Sequence, residues 1–271
     1  MIDNQAPLVI EPQDLEKHLS SGSFLLVDLC QPETYARAHI PGAVHLDYAQ
    51  IVTARPPAMG LLPNREQLSA TFSGIGLTPD RHVVAYDDEG GGKACRLLWT
   101  LAAIGHPRYS LLDGGIQAWA AEHLPTTTEI PPPGKSRYSA GPATDAVVTM
   151  DYIVGHLGQP DIRLLDCRTP GEYSGQKRLA ARAGHIPGAV NFDWVEAMDQ
   201  RNHLRLKPAA ELRRMLDALG VTPDKRVITY CQTHHRSAHT FIVLKSLGFA
   251  QVAGYPGSWS EWGNSTDTPV E

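Results

Sequence analysis

The chain has no long apolar run, no stretch enriched in lysine and arginine, and only four cysteines. Without an apolar run of about 18 residues, we expect no membrane-spanning helix and no membrane partner. The N-terminal segment, MIDNQAPLVIEP, has an acidic residue where a secretory signal has basic ones, and no apolar core of signal length follows. These features predict a cytoplasmic protein.

The charge argues against a nucleic-acid-binding protein, and the cysteine spacing argues against a disulfide-linked one. The net charge of -5 comes without a basic face, which argues against nucleic-acid binding, because phosphate contacts need clustered cations. The cysteines lie far apart and form no CxxC pair, so reduced thiols are expected rather than disulfides. Cys30, Cys95 and Cys167 sit in apolar or strand-end patterns and are predicted to be inert packing residues. No cofactor is predicted.

The sequence repeats itself. HIPGAVHLD at 39–47 returns as HIPGAVNFD at 185–193, and the segments before and after each copy follow the same order. The length of 271 residues suits two domains, each with its own core. Residues 124–149 are rich in Pro, Gly, Ser and Thr. We therefore predict domains at 8–125 and 149–271, joined by a linker at 126–148.

Short apolar runs alternate with helical patterns in both halves, which predicts an α/β fold with a mostly parallel sheet flanked by helices in each domain. The predicted strands are Leu25–Asp28, Val83–Tyr86, Leu111–Leu112, Ile162–Asp166, Val227–Tyr230 and Val252–Gly254. The predicted helices are Pro12–Leu19, Arg65–Phe72, Lys93–Ile104, Ile116–Ala121, Tyr152–Leu157, Pro208–Leu219, Ser237–Leu247 and Trp259–Trp262. Pro12 and Pro208 suit the first turn of a helix, where no amide hydrogen is needed.

The loop CQTHHRS, which starts at Cys231, follows an apolar strand and precedes a helix-forming run. Reactive sites of open α/β sheets lie at such strand ends, where helix amides point at the ligand. The helix N-terminus, the backbone amides and the charge of Arg236, with His234 or His235, favour a thiolate and lower the thiol pKa from about 8.5. Counting through the repeat places Asp87 at the equivalent position of the first half. We therefore expect one active site, in the second half.

These residues resemble a known family. The duplicated HIPGA motif, the cysteine loop in the second copy with Asp in the first, and the final GYPGSWSEWGN closely resemble the tandem rhodanese proteins. The loop CQTHHR resembles that of bacterial thiosulfate:cyanide sulfurtransferases. The resemblance extends from about Pro12 to Pro269 and implies two tandem rhodanese-like domains, of which the first is inactive.

The resemblance also implies roles for individual residues. Cys231 attacks the outer sulfur of thiosulfate, sulfite leaves, and a persulfide passes to a thiophilic acceptor such as cyanide or a thiol. Arg236 attracts the dianionic donor. Asp166 and Arg168, at the end of the neighbouring strand, brace the loop. The backbone amides that hold the persulfide belong to Gln232, Thr233, His234, His235 and Arg236. Where some mammalian relatives place further cations around thiosulfate, this chain has Thr233 and Glu172.

Several alternatives remain open. Cysteine phosphatases and arsenate reductases place one residue more between Cys and Arg than the four found here, so the shorter loop favours sulfur over phosphate. A mercaptopyruvate sulfurtransferase is a closer alternative to the thiosulfate enzyme. Relatives with that specificity carry small neutral residues in this loop, whereas the loop of this chain is bulky and cationic. The non-enzymatic alternative is a persulfide carrier that delivers sulfur to a protein partner.

The histidines and tryptophans have simpler interpretations. His235 and His239 have helical i, i+4 spacing, but no second ligand pair appears elsewhere, which argues against a zinc site. His39 and His185 are predicted to hold turns. Trp259 and Trp262 are predicted to pack in the core or between domains.

Overall fold

A computed structural model describes residues 6–19, 22–132 and 134–271. The first five residues of the N-terminal segment and Pro133 of the predicted linker lie outside the described residues. None of the helices in the described ranges has both the length and the apolar character needed to cross a membrane.

The first compact unit is built on five parallel strands. It comprises the described residues up to Ile51, with Pro63–Pro142 and Asp199–Leu206. From edge to edge its strands are β1 (Val9–Ile10), β7 (Tyr109–Leu112), β6 (His82–Tyr86), β2 (Phe24–Asp28) and β3 (Val44–His45). Its helices are α1 (Pro12–Glu16), α2 (Pro32–Arg37), α3 (Arg65–Gly74), α4 (Gly92–Ala103) and α5 (Gly115–Ala121).

The second compact unit is built on four parallel strands. It comprises Val52–Leu62, Ala143–Met198 and Lys207–Glu271. From edge to edge its strands are β13 (Val252–Gly254), β12 (Arg226–Tyr230), β8 (Ile162–Asp166) and β9 (Val190–Asn191). Its helices are α6 (Met150–Gly155), α7 (Pro170–Tyr173), α8 (Ala209–Ala218), α9 (Arg236–Ser246) and α10 (Ser258–Trp262). The two sheets confirm the predicted α/β class.

Each repeat contributes a hairpin to the unit formed mainly by the other repeat. The antiparallel strands β4 (Thr53–Arg55) and β5 (Ala58–Leu61) belong to the second unit. In the second repeat, β10 (Met198–Asp199) pairs with β11 (Arg205–Leu206), and the segment from Asp199 to Leu206 belongs to the first unit. There the amide of Leu206 donates to the carboxylate of Asp113 at 2.8 Å. The boundaries predicted along the chain did not include these exchanges.

The predicted strands and helices are all present, with ends displaced by a few residues. The strands β1, β3 and β9, of two residues each, were not predicted, because so short a run shows no alternation in the sequence. Pro12 is in the first turn of α1 as expected. Pro208 instead precedes α8 as its N-cap, so its predicted place inside the helix is wrong by one position. The described part of the linker holds isolated bridges but no helix or strand.

The repeated HIPGA motif forms a tight turn in both units. The amide of its alanine donates to the carbonyl of its isoleucine at 3.0 Å in each copy. The glycine takes a positive φ, 81° at Gly42 and 75° at Gly188, a conformation that glycine adopts without steric cost. With proline before glycine, this is the sequence that a type II turn requires.

A histidine and two tyrosines hold this turn in each unit. Nδ1 of His39 contacts the carbonyl of Tyr35 at 2.8 Å, and Nδ1 of His185 contacts that of Tyr173 at 2.9 Å. Each histidine ring stacks on the same tyrosine, with centroids 3.9 and 3.8 Å apart. The hydroxyl of Tyr230, the last residue of β12, accepts the amide of the motif's isoleucine at 3.2 Å. These contacts agree with the structural role predicted for the histidines, and they tie the motif to the strand end that precedes Cys231.

Candidate active site

Cys231 is the first residue after β12, at the carboxyl end of an inner strand of the sheet, and four residues separate it from the start of α9. Only 1% of its surface is exposed. Its amide donates to Oγ of Ser258 at 3.2 Å, and its carbonyl accepts the amide of Trp259 at 2.9 Å. The first turn of α10 therefore holds the residue on one side, while the loop leads into α9 on the other.

All four cysteines are buried and free of disulfides, yet their acidities differ. Burial raises the pKa of Cys30, Cys95 and Cys167 above the ordinary thiol value. Burial acts in the same direction on Cys231, but the charge of Arg236 and hydrogen bonds from Ser237 and Thr233 outweigh it, so that the pKa of this thiol is lowered. Cys231 alone among the cysteines is held in an environment that favours a thiolate.

Arg236 is paired with a carboxylate of α7. Its Nη1 and Nη2 donate to the two oxygens of Glu172 at 2.7 and 2.8 Å. Glu172 is 2% exposed, and it also receives the hydroxyl of Thr169 at 2.8 Å as part of a capping box at the start of α7. Burial raises the pKa of Glu172, but Arg236 and Thr169 outweigh that effect and lower the pKa to about 2. The carboxylate is therefore ionised and fixes the plane of the guanidinium.

Asp166 and Arg168 form a buried ion pair beside the loop. Arg168 Nη2 donates to Oδ2 of Asp166 at 2.6 Å and to the carbonyl of Gly184 at 2.8 Å. The two residues are 0% and 1% exposed. The guanidinium lies 4.5 Å from the ring centroid of Trp259, and Asp166 is the register partner of Tyr230 in the sheet. These contacts fix the end of the neighbouring strand. Because the two charges neutralise each other, the pair adds little to the electrostatic potential at Cys231.

The two loop histidines, and His239 in α9, make contacts within the second unit. Nδ1 of His234 lies 2.7 Å from Oγ of Ser237, and His234 takes the left-handed conformation with φ 55°. The rings of His235 and His239 lie against Trp194, with centroids 5.9 and 5.4 Å away. Within the described ranges no group of three or more His, Cys, Asp or Glu side chains has the arrangement needed to hold a metal ion.

The equivalent loop of the first unit is filled by its own carboxylate. Asp87 follows β6 and is fully buried. Its Oδ1 accepts the amides of Glu89 and Gly91 at 3.0 and 2.8 Å, and its Oδ2 accepts that of Ala94 at 2.9 Å. Three amides of this loop are thereby bonded to its own carboxylate, and the residue at the position equivalent to Cys231 carries no thiol.

The model of the rhodanese-like domain matches this chain twice, at residues 11–122 and 149–265. The chain belongs to the rhodanese family. Two curated relatives are named thiosulfate sulfurtransferase. The chain is 48% identical to that of Azotobacter vinelandii over 98% of its own length and 97% of the relative's, and 47% identical to that of Pseudomonas aeruginosa with the same coverage. It is 34% identical to the sulfur carrier protein TtuD of Thermus thermophilus, covering 87% of this chain and 86% of that one.

Solved structures show the same fold at lower identity. An anaerobic ergothioneine biosynthesis enzyme from Chlorobium limicola, in complex with trimethyl histidine, superposes with a TM-score of 0.87 at 22% identity, over 97% of this chain and 70% of that one. YnjE superposes with a TM-score of 0.88 at 23% identity, and the match covers 97% of this chain and 68% of the YnjE chain. These likenesses concern the fold of this rhodanese and not its substrate.

Of the predicted loop residues, Thr233 and Arg236 act directly on the Cys231 thiol, while Asp166 ends the adjacent strand and Arg168 follows it two residues later. The amide of Thr233 faces the Cys231 thiol, and Gln232 accepts the amide of Ser260 through its carbonyl at 3.0 Å. Sequence reasoning missed three contacts of the site, which involve Glu172, Ser237 and Ser258. The Thr169–Glu172 spacing is a readable capping box, but nothing in the sequence indicates that its glutamate reaches Arg236.

Replacing Ser237 with Ala should raise the pKa of Cys231. A hydrogen bond to a charged group is worth roughly 1.5 to 3 kcal/mol, so an increase of about one to two pKa units is expected. The rate of alkylation by iodoacetamide, measured against pH, should therefore rise with a midpoint at higher pH than in the wild type. Ser246→Ala, at the other end of α9, is the matched control. An unchanged midpoint in Ser237→Ala would contradict this role.

Replacing Arg168 with Met should destabilise the protein strongly, because it leaves the carboxylate of Asp166 buried without its partner. Breaking a buried pair in this way costs about 3 to 5 kcal/mol, which urea unfolding measures. Arg163→Met, which removes one hydrogen bond to a backbone carbonyl, is the control. The combined change Asp166→Leu with Arg168→Met should lose less than the sum of the single changes. Additive losses would show that the pair is not coupled.

Proposed function

We propose that the protein is a thiosulfate sulfurtransferase that carries sulfane sulfur as a persulfide on Cys231. The observation that carries the proposal is the position of this buried thiol between the end of β12 and the start of α9, where Arg236, Ser237 and Thr233 lower its pKa, whereas burial raises the pKa of the other three cysteines. Rhodanese relatives named for this activity, 47–48% identical over nearly the whole chain, support it. The shared reaction is transfer of sulfur from a small donor to a small acceptor.

The first half-reaction loads the sulfur. The Cys231 thiolate attacks the outer sulfur of thiosulfate, the sulfur–sulfur bond of the donor breaks, and sulfite leaves with the electron pair. A persulfide anion remains on Cys231, and its charge lies on the terminal sulfur. Backbone amides at the start of α9 and the positive end of that helix stabilise this charge.

The second half-reaction transfers the terminal sulfur from Cys231 to an acceptor. A thiophilic acceptor such as cyanide attacks the terminal sulfur, the persulfide bond breaks, and the thiolate of Cys231 returns with the electron pair. Thiocyanate is then the product, and no redox cofactor is consumed. A thiol acceptor would accept the sulfur in the same way.

The pairing of Arg236 with Glu172 refines the role predicted for the arginine. Both guanidinium ends are bound to the carboxylate, which reduces the net charge that an approaching dianion experiences. The guanidinium remains close enough to the thiol to lower its pKa. We therefore assign Arg236 chiefly to the thiolate and the persulfide, with a smaller part in attracting the donor.

A sulfur carrier that hands its persulfide to a protein is the second candidate, which the likeness to the carrier TtuD favours. A carrier and an enzyme would both accept sulfur from thiosulfate. Only the enzyme would then turn over many times with cyanide as acceptor. A single unloading event without further turnover would favour the carrier.

The wild-type protein should gain one sulfur atom after treatment with thiosulfate and lose it after addition of cyanide, as intact mass spectrometry measures. Cys231→Ser should gain none, because a hydroxyl cannot form the persulfide. Replacement of Cys30, Cys95 and Cys167 together by Ala is the control and should keep the added sulfur, with some loss of stability. Loading of the Cys231→Ser variant would overturn the proposal.

Arg236→Ala should reduce the kcat/KM for thiosulfate about ten- to a hundredfold, since a charge-assisted interaction is worth roughly 1.5 to 3 kcal/mol. If the arginine also attracts the donor, the loss should be larger for the dianion thiosulfate than for a monoanionic aryl thiosulfonate. Arg236→Lys keeps the positive charge, so it should retain part of the preference in kcat/KM for the dianionic donor over the monoanionic one. Equal losses with both donors would limit Arg236 to its effect on the thiol.

A further inference from the structure

The hairpin that the first repeat contributes to the second unit lies against the active-site loop. Strand β5 packs on α10, the helix whose first turn holds Cys231. The amide of Met59 donates to Oγ of Ser260 at 3.1 Å. Ser260 in turn donates its own amide to the carbonyl of Gln232 at 3.0 Å and its hydroxyl to that of Gly257 at 2.9 Å. One serine thus connects the hairpin with the loop.

Gly60 brings the backbone of the hairpin directly onto the backbone of that loop. A Cβ atom at this position would overlap the carbonyl oxygen of Thr233 and lie 2.9 Å from that of Pro256. Both obstacles are main-chain atoms, which no side-chain rotation can move. The φ angle of Gly60 is not in the left-handed region, so the absence of a side chain matters here for space and not for conformation.

The carbonyl that Gly60 contacts and the amide that faces the sulfur belong to the same residue, Thr233, and lie in consecutive peptide groups joined at its Cα. Gly60 touches Thr233 at its carbonyl, while the amide of Thr233 hydrogen-bonds the thiol of Cys231. A shift of Thr233 by a few tenths of an ångström would lengthen or misalign that bond. Hydrogen bonds to anions are sensitive to such changes, because they weaken as the donor leaves the line to the acceptor.

We propose that Gly60 is a positioning residue for the persulfide loop: the hairpin of the inactive repeat presses on Thr233 and aims its amide at the sulfur of Cys231. That the sulfur is a persulfide in turnover rests on the proposed function, whereas the placement of the amide does not. The catalytic unit thereby depends on a segment of the first repeat, although that repeat carries no thiol at its own loop. Deletion of the first repeat would remove this support.

The test compares Gly60→Ala with Gly155→Ala in the full chain. Gly155 ends α6 in the same unit, and a Cβ there would meet nothing within 4 Å. We expect Gly60→Ala to move the pH midpoint of Cys231 alkylation upward by about one unit and to lower kcat/KM about tenfold, as loss of one hydrogen bond to an anion predicts. Gly155→Ala should leave both unchanged.

A second variant keeps the proposal testable if Gly60→Ala does not fold. Ser260→Ala adds no bulk and removes the bond from Met59, so it should shift the alkylation midpoint in the same direction by a smaller amount. Folded Gly60→Ala with the wild-type midpoint and turnover would overturn the proposal, as would an unchanged Ser260→Ala if Gly60→Ala cannot be obtained. Because alkylation needs no sulfur donor, this result is independent of whether wild-type protein loads sulfur from thiosulfate.

Discussion

Keeping a thiolate inside a protein is unfavourable, and the arrangement around Cys231 depends on how that cost is offset. Cys231 is as buried as the three other cysteines, so burial alone would raise its pKa as it raises theirs. Its acidity comes from directed groups: the amide of Thr233, the amide and hydroxyl of Ser237 and the charge of Arg236. Each of these is fixed in turn by a neighbour, the guanidinium by Glu172 and the loop backbone by the first turn of α10.

The two repeats share the same turn and the same inner strand, but a different residue follows that strand in each. In both, a HIPGA turn is held by a histidine and tyrosines, and an inner strand ends at the loop. In the first repeat, the carboxylate of Asp87 takes up three loop amides. In the second, the thiol of Cys231 stands at that place, and the amides of Thr233 and Ser237 bond to its sulfur. The residue at this one position thus decides whether the loop amides bond to a carboxylate or to a thiol.

The exchanged hairpins make a segment of the first repeat part of the second unit, which contains Cys231. Segment 52–62 is far from Cys231 in sequence and belongs to the same compact unit. Asp113 shows a related dependence in the first unit, where it receives the amide of Leu206 from the second repeat. Loss of one repeat would therefore remove packing and hydrogen bonds from the unit that remains.

The sequence by itself determined the family, the α/β class, most of the helices and the longer strands of the two parallel sheets, and the position of Cys231 at a strand end. These follow from local patterns: a motif repeated in order, apolar runs of strand length and a polar loop before a helix. Only the tertiary structure decided that Glu172 binds Arg236, that Ser258 receives the amide of Cys231, and that Gly60 lies on Thr233. Those contacts join residues distant in the chain, and their geometry depends on how the strands and helices pack, which no local pattern records.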